Sequence, residues 1–176
     1  DISQGPEQAR WLKGALLNIA DSCFQNEKDA IAVIYQTENG NLVKVSQQSL
    51  ESHVNRIANS IKNLGLEIGD PIAIDMPMTL EAVAIYLAGI KAGFPVVTIA
   101  DSFSANEIEV RLHITNPKLL FTQDVLARAG KTLPLYEKVL RAGAPATIVV
   151  QTSQKDLTLR ENDLFFDDFL VDDDHF

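Results

Sequence analysis

The sequence predicts an α/β protein with a mostly parallel sheet flanked by helices. Three consecutive stretches near the middle of the chain support this. Residues 72–76 form a short apolar run with the length of a buried strand, residues 80–92 an apolar stretch with the length of a buried helix, and residues 95–100 a second β-rich run. Strand, helix and strand make a βαβ unit, and open α/β sheets bind ligands beyond the carboxyl ends of their strands.

The stretch before this unit is predicted to hold a surface lead-in and a β-hairpin. Residues 15–24 are expected to form a short helix. Residues 31–35 and 42–45 are predicted strands joined at Asn39-Gly40, because Asn-Gly suits a type I′ turn whose central residues both take positive φ. Five apolar residues are expected to anchor the lead-in: Trp11, Leu12, Leu16, Leu17 and Ile19.

Residues 47–64 carry the clearest helix signal in the chain. Ser46 can cap this helix and Gly65 can stop it. His53 lies beside the apolar stripe and is expected to be a solvated helix residue, because no second metal ligand lies four residues away. The stripe recurs at three- and four-residue steps: Leu50, Val54, Ile57, Ile61 and Leu64.

The second half of the chain continues with helices and strands. Ser104 and Glu107 form a predicted capping box for a helix over residues 105–115, which Asn116-Pro117 should end. The later elements are expected as a strand at 119–122, a helix at 125–129, a helix at 134–141 and a strand at 147–150.

Composition excludes several classes of protein. The 176 residues fit one domain or a piece of a larger one. The net charge of −9 argues against nucleic acid as the main partner. No apolar run reaches the roughly 18 residues of a transmembrane helix, so no transmembrane segment is expected. A single cysteine, Cys23, excludes an internal disulfide and suits a reducing compartment.

The end of the chain is strongly acidic and is expected to be a solvated, fraying tail. We do not predict a calcium site among these acidic residues, because no glycine has the spacing that a calcium loop needs. We therefore divide the chain into a lead-in at 1–30, an α/β layer at 31–151 and an acidic connecting segment at 152–176. Six aspartates crowd residues 163–176: Asp163, Asp167, Asp168, Asp172, Asp173 and Asp174.

The common catalytic motifs do not occur, and no catalytic residue or metal ligand is assigned. The sequence has no Gly-x-Ser-x-Gly elbow, Cys-x-x-Cys, His-Glu-x-x-His, Walker loop or Gly-x-Gly-x-x-Gly. One cluster, Arg128, Ala129, Gly130 and Lys131, places two cations around a glycine. Such a cluster can cradle a phosphate, because arginine supplies a forked donor and lysine a point charge. The alternative is a solvated basic surface.

Three stretches form an ordered set. Residues 11–23, WLKGALLNIADSC, combine a Trp, a Gly and a Leu-Asn-hydrophobic-Ala core. Residues 69–93 combine a Gly-Asp strand, a Met-Pro-Met turn and a buried helix ending in Ala-Gly. Residues 103–135 contain Phe-Ser, a helix with Arg111, a strand, and Arg-Ala-Gly followed by a base and a Pro. Together they resemble the N-terminal part of AMP-forming acyl-CoA synthetases, most closely the acetyl-CoA synthetase branch of the adenylate-forming family.

The resemblance implies a two-step reaction. A carboxylate attacks ATP to give an acyl-adenylate and pyrophosphate, and the thiol of coenzyme A then displaces AMP. It also implies ATP, coenzyme A and magnesium as cofactors and a small-molecule carboxylate as substrate. In this branch an Arg-Ala-Gly-Arg segment is implicated in holding coenzyme A near its nucleotide phosphate. The matching residues are Arg128, Ala129, Gly130 and Lys131, where Lys131 keeps the charge but loses the bidentate fork.

The resemblance also bears on the strand ends. It implies that Asp101, Ser102 and Phe103 come near the coenzyme A path, with a direct contact to coenzyme A as the alternative. Residues 76–78, Met-Pro-Met, are expected to form a packed turn, with a place near the cleft as the alternative. Asp75 is expected to be structural.

The family's Ser/Thr-Gly-rich phosphate loop, its adenine and ribose residues and its catalytic lysine do not occur here. The resemblance therefore implies an N-terminal fragment, inactive alone, whose partner is the remainder of the same polypeptide, in cytoplasm or peroxisome. One alternative is another adenylate former, such as an aryl-CoA ligase or an adenylation domain, which would not need Arg-Ala-Gly-Lys. The other is a stand-alone interaction module without catalysis.

Overall fold

The computed structural model describes residues 3–36, 40–128, 130–153 and 156–176. Two short 3₁₀ helices, Pro6–Gln8 and Ile19–Phe24, precede the first strand. The strands are β1 (Ile31–Gln36), β2 (Leu42–Ser46), β3 (Ile72–Asp75), β4 (Val96–Ile99), β5 (Leu119–Gln123), β6 (Val125–Arg128), β7 (Lys131–Pro134), β8 (Ala146–Val150) and β9 (Leu164–Phe165). The α-helices are α1 (Gln47–Asn63), α2 (Leu80–Lys91), α3 (Ala105–Thr115), α4 (Leu135–Arg141) and α5 (Phe166–Phe169).

The centre of the fold is a five-stranded sheet in the order β4-β3-β5-β8-β9. Every neighbouring pair in this sheet is parallel. Two antiparallel hairpins, β1-β2 and β6-β7, lie outside it. The predicted fold class, α/β with a mostly parallel sheet flanked by helices, is confirmed.

The two faces of the sheet carry different helices. Side chains alternate along a strand, so Ile72 and Ile74 of β3 pack with α1, α2 and α5, whereas Ala73 packs with α3 and α4. The helices that follow β3 and β4 therefore lie on opposite faces. A crevice is expected where neighbouring strands lead to opposite faces, beyond their carboxyl ends.

Helix α2 lies close to the sheet because residue 89 is a glycine. A Cβ atom at Gly89 would lie 2.7 Å from both Ile72 Cδ1 and Val96 Cγ2. No ordinary carbon–carbon contact is that short, so the strands and the helix meet at a point where only a hydrogen fits. The apolar, buried character predicted for residues 80–92 is consistent with this packing.

The predicted helix caps are confirmed. The Oγ atom of Ser46 accepts a hydrogen bond from the Ser49 amide at the start of α1. Ser104 and Glu107 form the reciprocal capping box of α3, and Asn116 ends that helix in the left-handed conformation at φ 45°. Gly40 has a positive φ of 81°, as the hairpin turn requires, whereas Asn39 lies outside the described residues.

The predicted helix over residues 125–129 is wrong. Val125–Arg128 is strand β6, which pairs with Lys131–Pro134 as a hairpin. Leu126, Ala127 and Arg128 all favour helices, but pairing with a strand three residues further on overrides that local preference. Residue 129 lies outside the described part of the chain.

The predicted lead-in is also partly wrong. The expected helix over residues 15–24 is a 3₁₀ helix restricted to Ile19–Phe24. Its anchors are Ala20, which is buried, and Asn18, whose side chain donates to the carbonyls of Ile90 and Lys91 at the end of α2. The five residues expected to anchor the lead-in are exposed instead: Trp11, Leu12, Leu16, Leu17 and Ile19.

The acidic end of the chain is not a solvated tail. Asp163 is buried and accepts hydrogen bonds from the Tyr136 hydroxyl at 2.6 Å and from the Arg160 side chain at 2.8 Å. Asn59 of α1 donates to the carbonyls of Asp173 and His175. The prediction of a fraying segment is therefore wrong, because donors on the body of the protein bind it; Asp167 and Asp168 are exposed as expected.

His53 also differs from its prediction. Its ring is half-buried, with its centroid 6.1 Å from that of the Phe166 ring. Burial lowers the pKa of His53, because the charged form loses hydration. The residue is thus part of the contact between α1 and α5 rather than a solvated side chain.

Candidate functional site

An open cavity of about 890 Å³ lies at the carboxyl ends of β3 and β4. This is the crevice where the two strands lead to helices on opposite faces, the usual ligand position in an open α/β sheet. One side of the cavity is apolar and the other carries two arginines, Arg111 and Arg128. The arrangement suits a ligand with both apolar and anionic parts.

The apolar side consists of α2 and the turn that precedes it. Tyr86 and Leu87 of α2 line the cavity together with residues 76–78. Met76 is buried, as expected for a packed turn, whereas Met78 is exposed. The Met-Pro-Met turn therefore packs on the core at one end and borders the cavity at the other.

Arg128 forms an ion pair with Asp101 at the edge of the cavity. Its Nη2 atom lies 2.7 Å from Asp101 Oδ2, and Nη1 lies 3.4 Å from Oδ1. The Arg128 side chain is 53% exposed and the Asp101 side chain 13%. Arg128 is the last residue of β6, and Asp101 lies two residues after the end of β4. The ion pair therefore joins the β6-β7 hairpin to the carboxyl end of β4.

Arg111 presents the second cationic group of the cavity. Its guanidinium carbon lies 3.9 Å from the centroid of the Phe103 ring, which is a cation–π contact. Its Nη1 atom donates to the Glu107 carbonyl one turn earlier in α3. These two contacts orient the guanidinium and leave further N–H donors of Arg111 for a ligand.

Lys138 lies beneath the cavity and joins the ends of β3 and β4. Its ammonium group lies 3.3 Å from Asp75 Oδ2 and donates to the Asp101 carbonyl at 2.7 Å. Asp75 is completely buried. Burial raises the pKa of Asp75 to about 6, although the charge of Lys138 acts in the opposite direction. The expectation that Asp75 is structural agrees with this position.

The four residues of the predicted phosphate cradle do not all reach the cavity. Arg128 lines it. Gly130 has a φ of 74° in the turn of the β6-β7 hairpin, and Lys131 is exposed at the start of β7, opposite Arg128 in register. Ala129 lies outside the described residues. Arg128 and Lys131 are thus paired strand residues of a hairpin, and Arg128 is not part of a helix.

The sequence names Arg128, Asp101 and Asp75 but not Lys138, and it does not predict the ion pairs that hold this site together. The Arg128–Asp101 pair spans 27 positions and the Asp75–Lys138 pair spans 63, so no local pattern links the partners. Arg111 had a local signal, because it lies four residues after the capping glutamate Glu107 on the same side of α3.

The described part of the chain lacks two features, a metal-binding cluster and a membrane-spanning helix. Across residues 3–36, 40–128, 130–153 and 156–176, no group of three or more His, Cys, Asp and Glu side chains could hold a metal ion. Among those same residues, no helix combines the length and the apolar character that a membrane span requires.

The fold and the site define an open α/β protein whose ligand cavity lies at the carboxyl edge of a parallel sheet. A family described as "AMP-binding enzyme" matches residues 20–171 of this chain. The chain therefore belongs to the AMP-binding enzyme family, and its resemblance to acyl-CoA synthetases is confirmed.

Named relatives agree with this membership. The chain is 41% identical to "Probable acyl-activating enzyme 18, peroxisomal" of Arabidopsis thaliana. The match covers 96% of this chain and 25% of that protein. It is 40% identical to "Hexanoyl-CoA synthase" of Cannabis sativa, over 97% of this chain and 25% of that protein. "Acetyl-coenzyme A synthetase" of Marinomonas sp. is 35% identical over 78% of this chain and 22% of its own length.

Solved structures show the same fold. Acetoacetyl-CoA synthetase from Streptomyces lividans superimposes with a TM-score of 0.81 at 23% identity, over 92% of this chain and 26% of that one. Brucella canis acyl-CoA synthetase gives a TM-score of 0.72 at 21% identity, over 87% and 27% of the two chains. The chain thus spans about a quarter of the length of the relatives that it matches.

Proposed function

We propose that this chain is the N-terminal part of a longer ATP-dependent acyl-CoA synthetase. The longer protein would activate a small-molecule carboxylate with ATP and transfer the acyl group to coenzyme A, releasing AMP and pyrophosphate. Membership of the AMP-binding family and the names of the relatives support this activity. The chain's share of its relatives' length supports a role as one subdomain, inactive without the remainder of the polypeptide.

We infer three regions within this subdomain. Residues 1–30 would be a lead-in, residues 31–151 the α/β layer and residues 152–176 an acidic connecting segment. The position of β3, β4, β5 and β8 within the middle region supports its limits. The connecting segment would continue to pack on the layer, because β9 pairs with β8.

We propose that Arg128, Ala129, Gly130 and Lys131 form part of the coenzyme A site. The observation that carries this proposal is the Arg128 guanidinium at the rim of the cavity. A forked guanidinium matches two phosphate oxygens, and the cavity offers apolar wall for the rest of a ligand. Lys131 is exposed beside Arg128 in the hairpin and would add one charged contact to a phosphate at that edge.

ATP and magnesium are assigned to the part of the longer protein outside this chain. The sequence contains no Ser/Thr-Gly-rich phosphate loop of this family, and the described residues contain no cluster of three metal ligands. A bound magnesium ion would neutralise charge on the phosphates of ATP. The residues of this chain would supply the sheet that supports the site and part of the contacts to coenzyme A.

The substrate class and compartment follow from the relatives in the same way. We propose a carboxylic acid as the acyl donor, since the relatives include a hexanoyl-CoA synthase and acetyl-coenzyme A synthetases. Of the two compartments that the sequence leaves open, cytoplasm and peroxisome, the name of the Arabidopsis thaliana relative, "Probable acyl-activating enzyme 18, peroxisomal", favours the peroxisome.

The test is Arg128→Ala in the full-length enzyme. We expect the KM for coenzyme A to rise about ten- to hundredfold, because one charge-assisted hydrogen bond contributes roughly 1.5–3 kcal/mol. Adenylate formation, measured by pyrophosphate exchange, should be unchanged. Arg141→Ala is the matched control, because that arginine is exposed at the end of α4 and does not line the cavity. An unchanged coenzyme A dependence in Arg128→Ala would remove the assignment.

A further inference from the structure

We propose that Asp101 competes with the phosphate groups of coenzyme A for Arg128 and so limits the affinity of the site. The inference rests on the proposed coenzyme A site. It concerns a different residue, which lines the same cavity and carries the opposite charge.

The competition follows from the hydrogen bonds that the Arg128 guanidinium already makes to Asp101. Both Nη atoms of Arg128 face the carboxylate of Asp101, at 2.7 Å and 3.4 Å. A phosphate binds arginine best through the same pair of parallel donors. A ligand phosphate therefore cannot take that fork while the carboxylate holds it, and a phosphate that binds through both Nη atoms must displace Asp101.

The arginine is the partner that has to move. The main chain of Asp101 is fixed, because its carbonyl accepts the hydrogen bond from Lys138, and Lys138 is held by buried Asp75. The Asp101 side chain is only 13% exposed, whereas that of Arg128 is 53% exposed. A ligand at the cavity would turn the guanidinium away from Asp101 and leave the carboxylate behind.

The carboxylate that remains would still oppose the ligand. It carries a negative charge at the rim of a cavity that is proposed to hold phosphates, and like charges at short range repel. Removing the charge of Asp101 should therefore raise the affinity for coenzyme A in two ways. It releases the Arg128 guanidinium, and it removes the repulsion between the carboxylate and the phosphates. Only the first effect depends on Arg128.

The experiment is a double-mutant cycle on the full-length enzyme, with coenzyme A binding measured by calorimetry. Asp101→Asn should lower the Kd for coenzyme A about three- to tenfold, a little more than a fully exposed ion pair is worth. The gain should shrink by at least half in the Arg128→Ala background. Asp101→Ser is a second variant, should the asparagine fold poorly, and thermal unfolding verifies each protein. Glu109→Gln, an exposed acid on α3, removes the same charge and should leave the Kd unchanged.

Three outcomes would overturn the proposal. They are an unchanged or higher Kd in both Asp101 variants, an equal gain with and without Arg128, and an equal gain in Glu109→Gln. If Arg128→Ala itself leaves the Kd unchanged, the proposed coenzyme A site fails first. If Arg128→Ala weakens binding but the Asp101 variants do not strengthen it, the coenzyme A site stands and only the competition is wrong.

Discussion

The ammonium group of Lys138 lies 3.3 Å from the buried carboxylate of Asp75 and also donates to the carbonyl of Asp101 at 2.7 Å. One side chain from α4 thus holds the ends of β3 and β4 together. Those two strand ends form the floor of the cavity, so the geometry of the site depends on a charge that no ligand needs to touch.

Replacing Lys138 with Met should destabilise the protein by about 3 kcal/mol at pH 7. The change keeps the length of the side chain but leaves Asp75 without its ion-pair partner, and breaking a buried pair on one side costs roughly 3–5 kcal/mol. We expect the lower end, because Asp75 can take up a proton instead. Urea unfolding followed by circular dichroism measures the change. Lys118→Met, at an exposed lysine before β5, should change the free energy of unfolding little; equal losses in both variants would argue against the pair.

Asp75 should make stability fall as the pH rises. Its pKa is raised from 3.8 to about 6 by burial, so the folded chain binds this proton more tightly than the unfolded chain does. Stabilisation from this group is fully present below about pH 4 and is lost as the pH rises through about 6, a change of roughly 3 kcal/mol. We expect the difference in unfolding free energy between wild type and Asp75→Asn to fall by that amount from pH 4 to pH 7. A constant difference across this range would show that Asp75 has an ordinary pKa.

The sequence predicts the parts of this fold that carry local signals. Residues 47–64 and 105–115 combine an apolar stripe or a capping box with a stop residue, and both helices form as expected. Strands β3, β4, β5 and β8 of the parallel sheet are equally visible, because each is a short apolar run between turn residues, whereas the two-residue strand β9 inside the acidic segment is not predicted. The fold class follows from their order alone.

The parts that the sequence misses depend on distant partners. Val125–Arg128 has helix-forming residues, yet it becomes a strand because Lys131–Pro134 pairs with it. The acidic segment is predicted as solvated because its donors, such as Tyr136 and Asn59, lie 27 and more than a hundred positions earlier. For the site, the sequence singles out Arg128 as a phosphate ligand and Asp101 as a neighbour of the coenzyme A path, but it does not predict that the two form an ion pair.

Replacing Asp124 with Asn should destabilise the protein by about 2 kcal/mol at pH 7. Its two carboxylate oxygens accept hydrogen bonds from the amides and hydroxyls of Thr152 and Ser153, at 2.6–2.9 Å. Burial acts to raise the pKa of Asp124, but these bonds outweigh it and lower the pKa to about 2. An asparagine amide would turn one acceptor into a donor that faces other donors, which costs about 1–3 kcal/mol.

Chemical denaturation at several pH values tests this effect of Asp124. Because the pKa of Asp124 is depressed, its stabilisation is present above about pH 4 and is lost as the pH falls towards 2. The difference between wild type and Asp124→Asn should therefore shrink in acid. Asp156→Asn, at an exposed aspartate shortly after the same turn, should match wild type throughout. A loss that stays the same in acid would mean that ionisation of Asp124 is not its cause.

Replacing Asn59 with Ala should release the last residues of the chain from α1. The Asn59 amide donates to the carbonyls of Asp173 and His175, at 3.0 and 2.9 Å. Two such bonds contribute about 1 kcal/mol each to holding the segment, while Asn55 and Arg56 keep their own hydrogen bonds to it. Amide hydrogen exchange around residues 171–176 should become about ten- to thirtyfold faster. Exchange in the core strand β5 should not change, because opening of a terminal segment leaves the hydrogen bonds of β5 to β3 and β8 in place. Asn63→Ala, one turn further along the same helix and exposed, should leave the exchange of the segment as it is in the wild type; equally faster exchange in Asn63→Ala would show that the loss of the two Asn59 hydrogen bonds is not the cause.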